Sequence, residues 1–248
     1  SSAASDVYKR QSLDSLLGVL GRLWASRFPE PKDGEDNVRS YGNLAVRVYA
    51  AESYVHLANR FGEDRPEIVD MIEAVLTDPV PVVRVQAAEN LQVLSRVAPQ
   101  KMWELAERIV RNEPNVDVLT FHAAHVLSGL IWSDVDRAEG LITIVEQRRH
   151  SFVLRENSGR DELSEVLGGL AAQLWAGQSR DRALQWLIEW LQDLVTNQDL
   201  LIAFISPLRE AFIARYASGQ DNDKSLSDRA QRGSMLILET CSSAATES

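Results

Sequence analysis

The chain has 248 residues, 45% of them hydrophobic and 25% charged, and this is the composition of an ordinary folded protein, which excludes disorder as the main state. The longest aliphatic or aromatic run, Leu200 to Ile205, is six residues long and excludes a membrane-spanning helix. A single cysteine, Cys241, excludes a disulfide framework and a cysteine-based metal site, and a net charge of -10 disfavours broad phosphate binding.

The first eleven residues, SSAASDVYKRQ, can be written in codons that match a widely used transposase sequencing adapter at every position. Residues 1–11 are therefore expected to be adapter-derived and disordered, and to lie outside the fold. The rest is then expected to be the C-terminal fragment of a longer protein. Arginine outnumbers lysine 22 to 4, which fits a GC-rich bacterial source.

From Ser12 onward the hydrophobic periodicity predicts helical hairpins, each with a first helix A and a second helix B. The expected spans are 12–28 with 40–61, 65–76 with 80–97, 100–112 with 116–132, 134–149 with 161–176, and 179–195 with 198–217. A capping helix over about 225–241 follows, and 242–248 is expected to be a disordered tail. Ile68, Met71, Ile72 and Val75 make one apolar stripe, and Trp103, Ala106, Ile109 and Val110 the next. Pro66 suits the first turn of its helix, and the prolines at 79 and 81 stop it. Polar stretches at 29–36, 148–161 and 218–224 read as loops.

The B helices repeat. Segments 46–57 (VRVYAAESYVHL) and 83–94 (VRVQAAENLQVL) share seven of twelve residues at an offset of 37. A third copy, 119–130 (LTFHAAHVLSGL), follows at an offset of 36 and keeps Ala123, Ala124 and Leu130, with Thr120 in place of the arginine. Paired alanines let helix axes approach closely. Gly168 and Gly169 stand where a fourth pair would fall.

Asp78, Val83, Arg84, Ala87, Ala88 and Leu91 resemble the HEAT-repeat pattern of a turn aspartate, Val-Arg, small residues and leucines. The likeness extends over about 40–132, although Tyr41 stands at the aspartate position of the first copy. It implies an all-α fold, a right-handed α-solenoid of about five antiparallel helix pairs in one domain, 12–241, with B helices on the concave side. Stacked repeats place equivalent residues in rows along an extended surface.

In the repeat alignment, Tyr49, Gln86 and His122 form one row and Glu52, Glu89 and His125 the next. These six are the expected partner-binding residues. His122 and His125, three apart on a helix, lack the further ligands zinc needs, so no metal or cofactor is expected. Arg47 and Arg84 are expected to link repeats through acidic side chains. Arg148, Arg149, Arg155 and Arg160 form the most basic stretch and are candidate anion contacts. Trp186 and Trp190 read as core.

No phosphate loop, nucleophile elbow or paired-carboxylate motif gives a reason to propose an enzyme. The expected function is scaffolding or regulation by a cytoplasmic interaction module, which binds a protein or an upstream domain of its own chain on the B-helix face. The alternatives are a nucleic-acid-binding protein of similar fold and a sensor domain of a larger bacterial NTPase or nuclease effector.

Overall fold

The computed structural model describes the backbone of residues 2–28, 30, 38, 45–152, 161–217 and 221–247, and the side chains of these residues from 11 to 209 and from 225 to 243. Among the described residues every regular element is helical and there is no strand. The chain divides into two compact units, Ser1–Val126 and Leu127–Ser248.

In the first unit, α1 spans Ser2–Trp24, α2 Val46–Phe61, α3 Pro66–Val75 and α4 Pro81–Ala88. A 3-10 turn, Leu91–Val93, leads into α5, Leu94–Val97, followed by α6, Pro99–Asn112, and α7, Val116–His122. Pro66, Pro81 and Pro99 each occupy the first helical turn, where a missing N–H costs least. Asn115 caps α7 by accepting from the Val118 amide at 3.1 Å. The expected second B helix is broken at Asn90, whose side-chain amide donates to the Gln86 carbonyl at 3.0 Å and competes with the helical ladder.

The first-unit core follows the expected stripes. Ile68, Ile72, Val75, Val83, Ala87, Leu91, Leu94, Ala106 and Val110 are all buried, while Met71 is half-buried. Helix α2 packs on α1, α3 and α4, and α4 packs on α7. Ala50, Ala51, Ala87, Ala88 and Ala123 are buried at 0–1% exposure, so the small residues sit where these helices meet.

After α7 the helix widens into a π segment, Ala123–Leu127, and the boundary between the two units falls inside it. The second unit holds α8, Ser128–Leu130, α9, Val135–Arg148, a 3-10 turn, Arg149–Ser151, and α10, Glu162–Ala172. A second π segment, Gln173–Gly177, precedes α11, Asp181–Trp190, α12, Gln198–Ala217, and α13, Asp221–Glu247. Gly168 is buried against α12, and a Cβ there would stand 2.2 Å from the Leu200 carbonyl oxygen. The absence of a side chain is what lets α10 and α12 approach. Trp186 and Trp190 are buried and stacked, with ring centroids 6.4 Å apart. Helix α13 is clasped by Arg229, which donates to the Ala176 carbonyl, and by Trp175, whose indole donates back to the Arg229 carbonyl at 3.1 Å.

Both ends differ from expectation. The backbone is helical from Ser2, inside the segment expected to be disordered, and stays helical to Glu247, through the expected tail. Neither stretch contains a proline or glycine, and extending a nucleated helix costs little per residue. No described helix is long and apolar enough to cross a membrane.

Candidate functional site

Two arginines, half-buried Arg47 and buried Arg84, tie consecutive hairpins of the first unit together. Arg47 of α2 reaches the turn before α4, its Nε 3.1 Å from Asp78 Oδ2 and its Nη2 donating to Oδ1 at 3.2 Å. Asp78 in turn accepts from the Val80 amide at 2.8 Å, which fixes the turn. Arg84 of α4 repeats the device one hairpin later. It grips Glu113 with two bonds, 2.6 Å from Nη2 and 3.0 Å from Nε, and Nη1 donates to the Asp78 carbonyl at 2.8 Å. Glu113 accepts from the Asn115 amide at 2.9 Å. Both arginines are thus occupied in linking a helix to the turn of the next hairpin.

The arginine joint also resets the register of the third copy. Glu113 performs the role of Asp78 at an offset of 35, one less than the sequence alignment assigns. Burial agrees over 121–126: half-buried Phe121 and Ala124 correspond to Gln86 and Glu89, and buried His122, Ala123 and Val126 correspond to Ala87, Ala88 and Leu91.

His122 is consequently not a surface residue. It is completely buried in the place of an alanine, its Nδ1 bonded to the Ala88 carbonyl at 2.7 Å across α7 and α4. That carbonyl requires Nδ1 to carry the proton, and Nε2 is buried without a hydrogen-bond partner. Burial pushes the His122 pKa down to about 4, with the carbonyl bond opposing. The residue at the row position is Phe121, which the sequence reading missed and which stacks on His125 at 6.1 Å, with ring planes 9° apart.

The corrected outer stripe of the three helices carries Tyr49, Gln86 and Phe121 in one row, with Glu52 and Glu89 in the next and His125 beside them. Tyr49 is 45% exposed, Glu52 and His125 are exposed, and Gln86 and Glu89 are half-buried. Burial raises the Glu89 carboxyl above the usual carboxylate range, the charge of Glu52 adds to this, and His125 and the Asn90 amide oppose it. His56 lies 3.7 Å from Glu52. Among the described residues no group of three or more His, Cys, Asp or Glu is placed to hold a metal ion.

The candidate anion contacts divide. Arg149 is committed to Glu146 at 3.3 Å and to the Asn197 side chain at 2.9 Å, which leaves it no free face for an anion. Arg148 lies over the Phe152 ring at 5.2 Å. Arg155 and Arg160 lie outside the described residues. Comparison with protein-family models, with curated proteins and with solved structures returned no match.

Proposed function

We propose that the chain is a HEAT-like α-solenoid acting as an interaction module, and that it docks a protein partner along the outer stripe of α2, α4 and α7. One observation carries this reading. Three neighbouring helices bury equivalent small positions against one another and carry equivalent aromatic and polar positions, exposed Tyr49 and half-buried Gln86 and Phe121, in one row. A row of this kind is the surface that stacked repeats offer to a partner. Aromatic side chains contribute large contact area at little entropic cost, and Glu52, Glu89 and His125 supply directional contacts. Arg47 and Arg84 are turned into the joints, and Arg60, the third arginine of these helices, stands in the last turn of α2 over the Phe61 ring, so few guanidinium groups face a phosphate chain and the protein-binding reading stands ahead of the nucleic-acid one.

The test is a selection of peptides from an unbiased display library with the whole chain as bait. Binders are expected whose capture is lost when Tyr49→Ala, Gln86→Ala and His125→Ala are combined, with the far-UV circular dichroism unchanged. Binders that survive the triple substitution, or a library that returns none, would overturn the reading.

A further inference from the structure

The second hairpin of the first unit has a neighbour on each side. Helix α3 packs on its own partner, α4, and on α2 of the hairpin before it, and α4 packs on α2 and on α7. The first hairpin carries the same apolar surfaces, but one side of it is uncovered. At about 100° per residue, α1 has two apolar arcs. Leu13, Leu17, Leu20 and Trp24 form one, buried or half-buried where α1 packs on α2. Leu16, Val19 and Leu23 form the other and are 43%, 41% and 36% exposed. Asp14, almost opposite this second arc, pairs with Arg65 at the start of α3 at 2.7 Å. The exposed arc therefore points away from the second hairpin. Helix α2 repeats the pattern. Val46 and Leu57 recur as Val83 and Leu94 at the offset of 37. Val83 and Leu94 are completely buried, whereas Val46 is 39% exposed and Leu57 half-buried. The second hairpin is covered by α2, which packs on α4, on the turn Leu91–Val93 and on α5. Among the described residues no helix stands ahead of α2 to do the same.

The covering side of a second helix can be read from α4. Gln92 donates to the Val126 carbonyl at 2.9 Å and the Ala88 carbonyl takes the His122 imidazole, so Val85, Ala88 and Gln92 lie on the side toward α7. Their equivalents in α2 are Val48, Ala51 and Val55, all buried and on the side of α2 opposite Val46 and Leu57. A β-branched residue with a small one three positions later thus lets each second helix close on the next. We infer that Leu16, Val19, Leu23, Val46 and Leu57 seat the second helix of a further hairpin of the same kind, carried by the intact polypeptide ahead of Ser12, and that this helix presents a β-branched and a small residue at i and i+3. The seat holds no charged side chain, as a contact inside one continuous apolar interior requires. It lies on a different side of α2 from Tyr49 and Glu52 and does not depend on the docking role proposed above.

The probe is the chain's own second hairpin: a copy of residues 64–98 replaces residues 1–11 and is joined through a glycine–serine linker. Amide hydrogen exchange over α1 and α2 is expected to slow roughly tenfold, because a stacked repeat adds a nearest-neighbour interface. The gain should vanish when the copy carries Val85→Glu with Ala88→Glu. It should vanish equally when the host carries Leu16→Gln, Val19→Gln and Leu23→Gln, exposed positions whose substitution leaves the circular dichroism unchanged. A gain that survives either set, or no gain with the unaltered copy, would overturn the inference. Sedimentation equilibrium of the unextended chain tests the rival occupant: a dimer that the three glutamines dissociate gives the face to a second copy and overturns the inference as well. The intact gene upstream of the codon for Ser12 tests the source. An amphipathic hairpin with the β-branched and small residues at that spacing is expected there, and an upstream sequence without one sinks the proposal.

Discussion

Replacing Arg84 with methionine removes a buried positive charge of the first unit while keeping much of its apolar stem. The guanidinium makes two bonds to Glu113 and two to the carbonyls of Asp78 and Pro79, and the Arg84 and Glu113 side chains are 9% and 6% exposed. Stripping one partner from a buried ion pair costs about 3–5 kcal/mol, because the other charge stays behind without compensation. Glu113 keeps its bond from the Asn115 amide, so the lower part of that range, about 3 kcal/mol, is expected. Removing both charges, with Arg84→Met and Glu113→Leu together, should recover much of the loss, since a well-packed apolar pair often matches a buried ionic one. The coupling between the two sites should then reach about 2 kcal/mol. Urea unfolding of the four proteins gives the cycle, and amide hydrogen exchange over α4 assigns the loss to the first unit. A single-substitution cost under about 1 kcal/mol, or a coupling near zero, would show that the pair is not structural and would refute the reasoning.

Other outcomes are equally open to measurement. His122 is neutral when buried at a pKa of about 4, whereas in the unfolded chain it takes up a proton near 6.5, so its contribution is complete above 6.5 and is lost as pH falls toward 4. The loss amounts to roughly 3 kcal/mol, and His122→Leu should flatten the stability profile in that window; parallel profiles would contradict this. Gly168→Ala should destabilise by several kcal/mol, because the new Cβ meets the α12 backbone, whereas Gly169→Ala meets nothing within 4 Å and should stabilise by up to about 1 kcal/mol. Thermal melts that rank the two alike would be inconsistent with the close approach of α10 and α12. Ser179 adopts a left-handed conformation with φ 59°, so Ser179→Gly should raise stability by up to about 1 kcal/mol, and a lowered melting temperature would count against strain there.

Much of the architecture was legible because its physical requirements are local. Pro66 marks the start of α3, apolar spacing sets the buried stripes, and the alanine pairs of α2 and α4 mark helix contacts. The linking role of Arg47 and Arg84 was legible too, since a charge at a buried repeat position needs an acid nearby. The outer row was only half legible. Sequence identity aligned Ala123 and Ala124 with Ala87 and Ala88, but the shorter turn at Glu113 shifts the helix by one residue and turns His122 inward. An imidazole suits either side of a helix, so residue type alone could not reveal the shift. Phe121 and its stacking on His125 were missed for the same reason. The helical ends were missed because adapter coding and nearness to a terminus say nothing of backbone propensity.

The arginine joint has a bearing on how such a chain can grow. Each joint draws its cation from one hairpin and its anion from the turn of the next, so a duplicated hairpin brings both halves of a new connection with it. Whole units can then be gained or lost without stranding a charge in the interior. At the corrected offset the third copy has Leu119 in the place of Arg84, a fully buried apolar side chain that carries no charge to be paired. The last member asks nothing of a successor, and that is how a modular series closes without a defect.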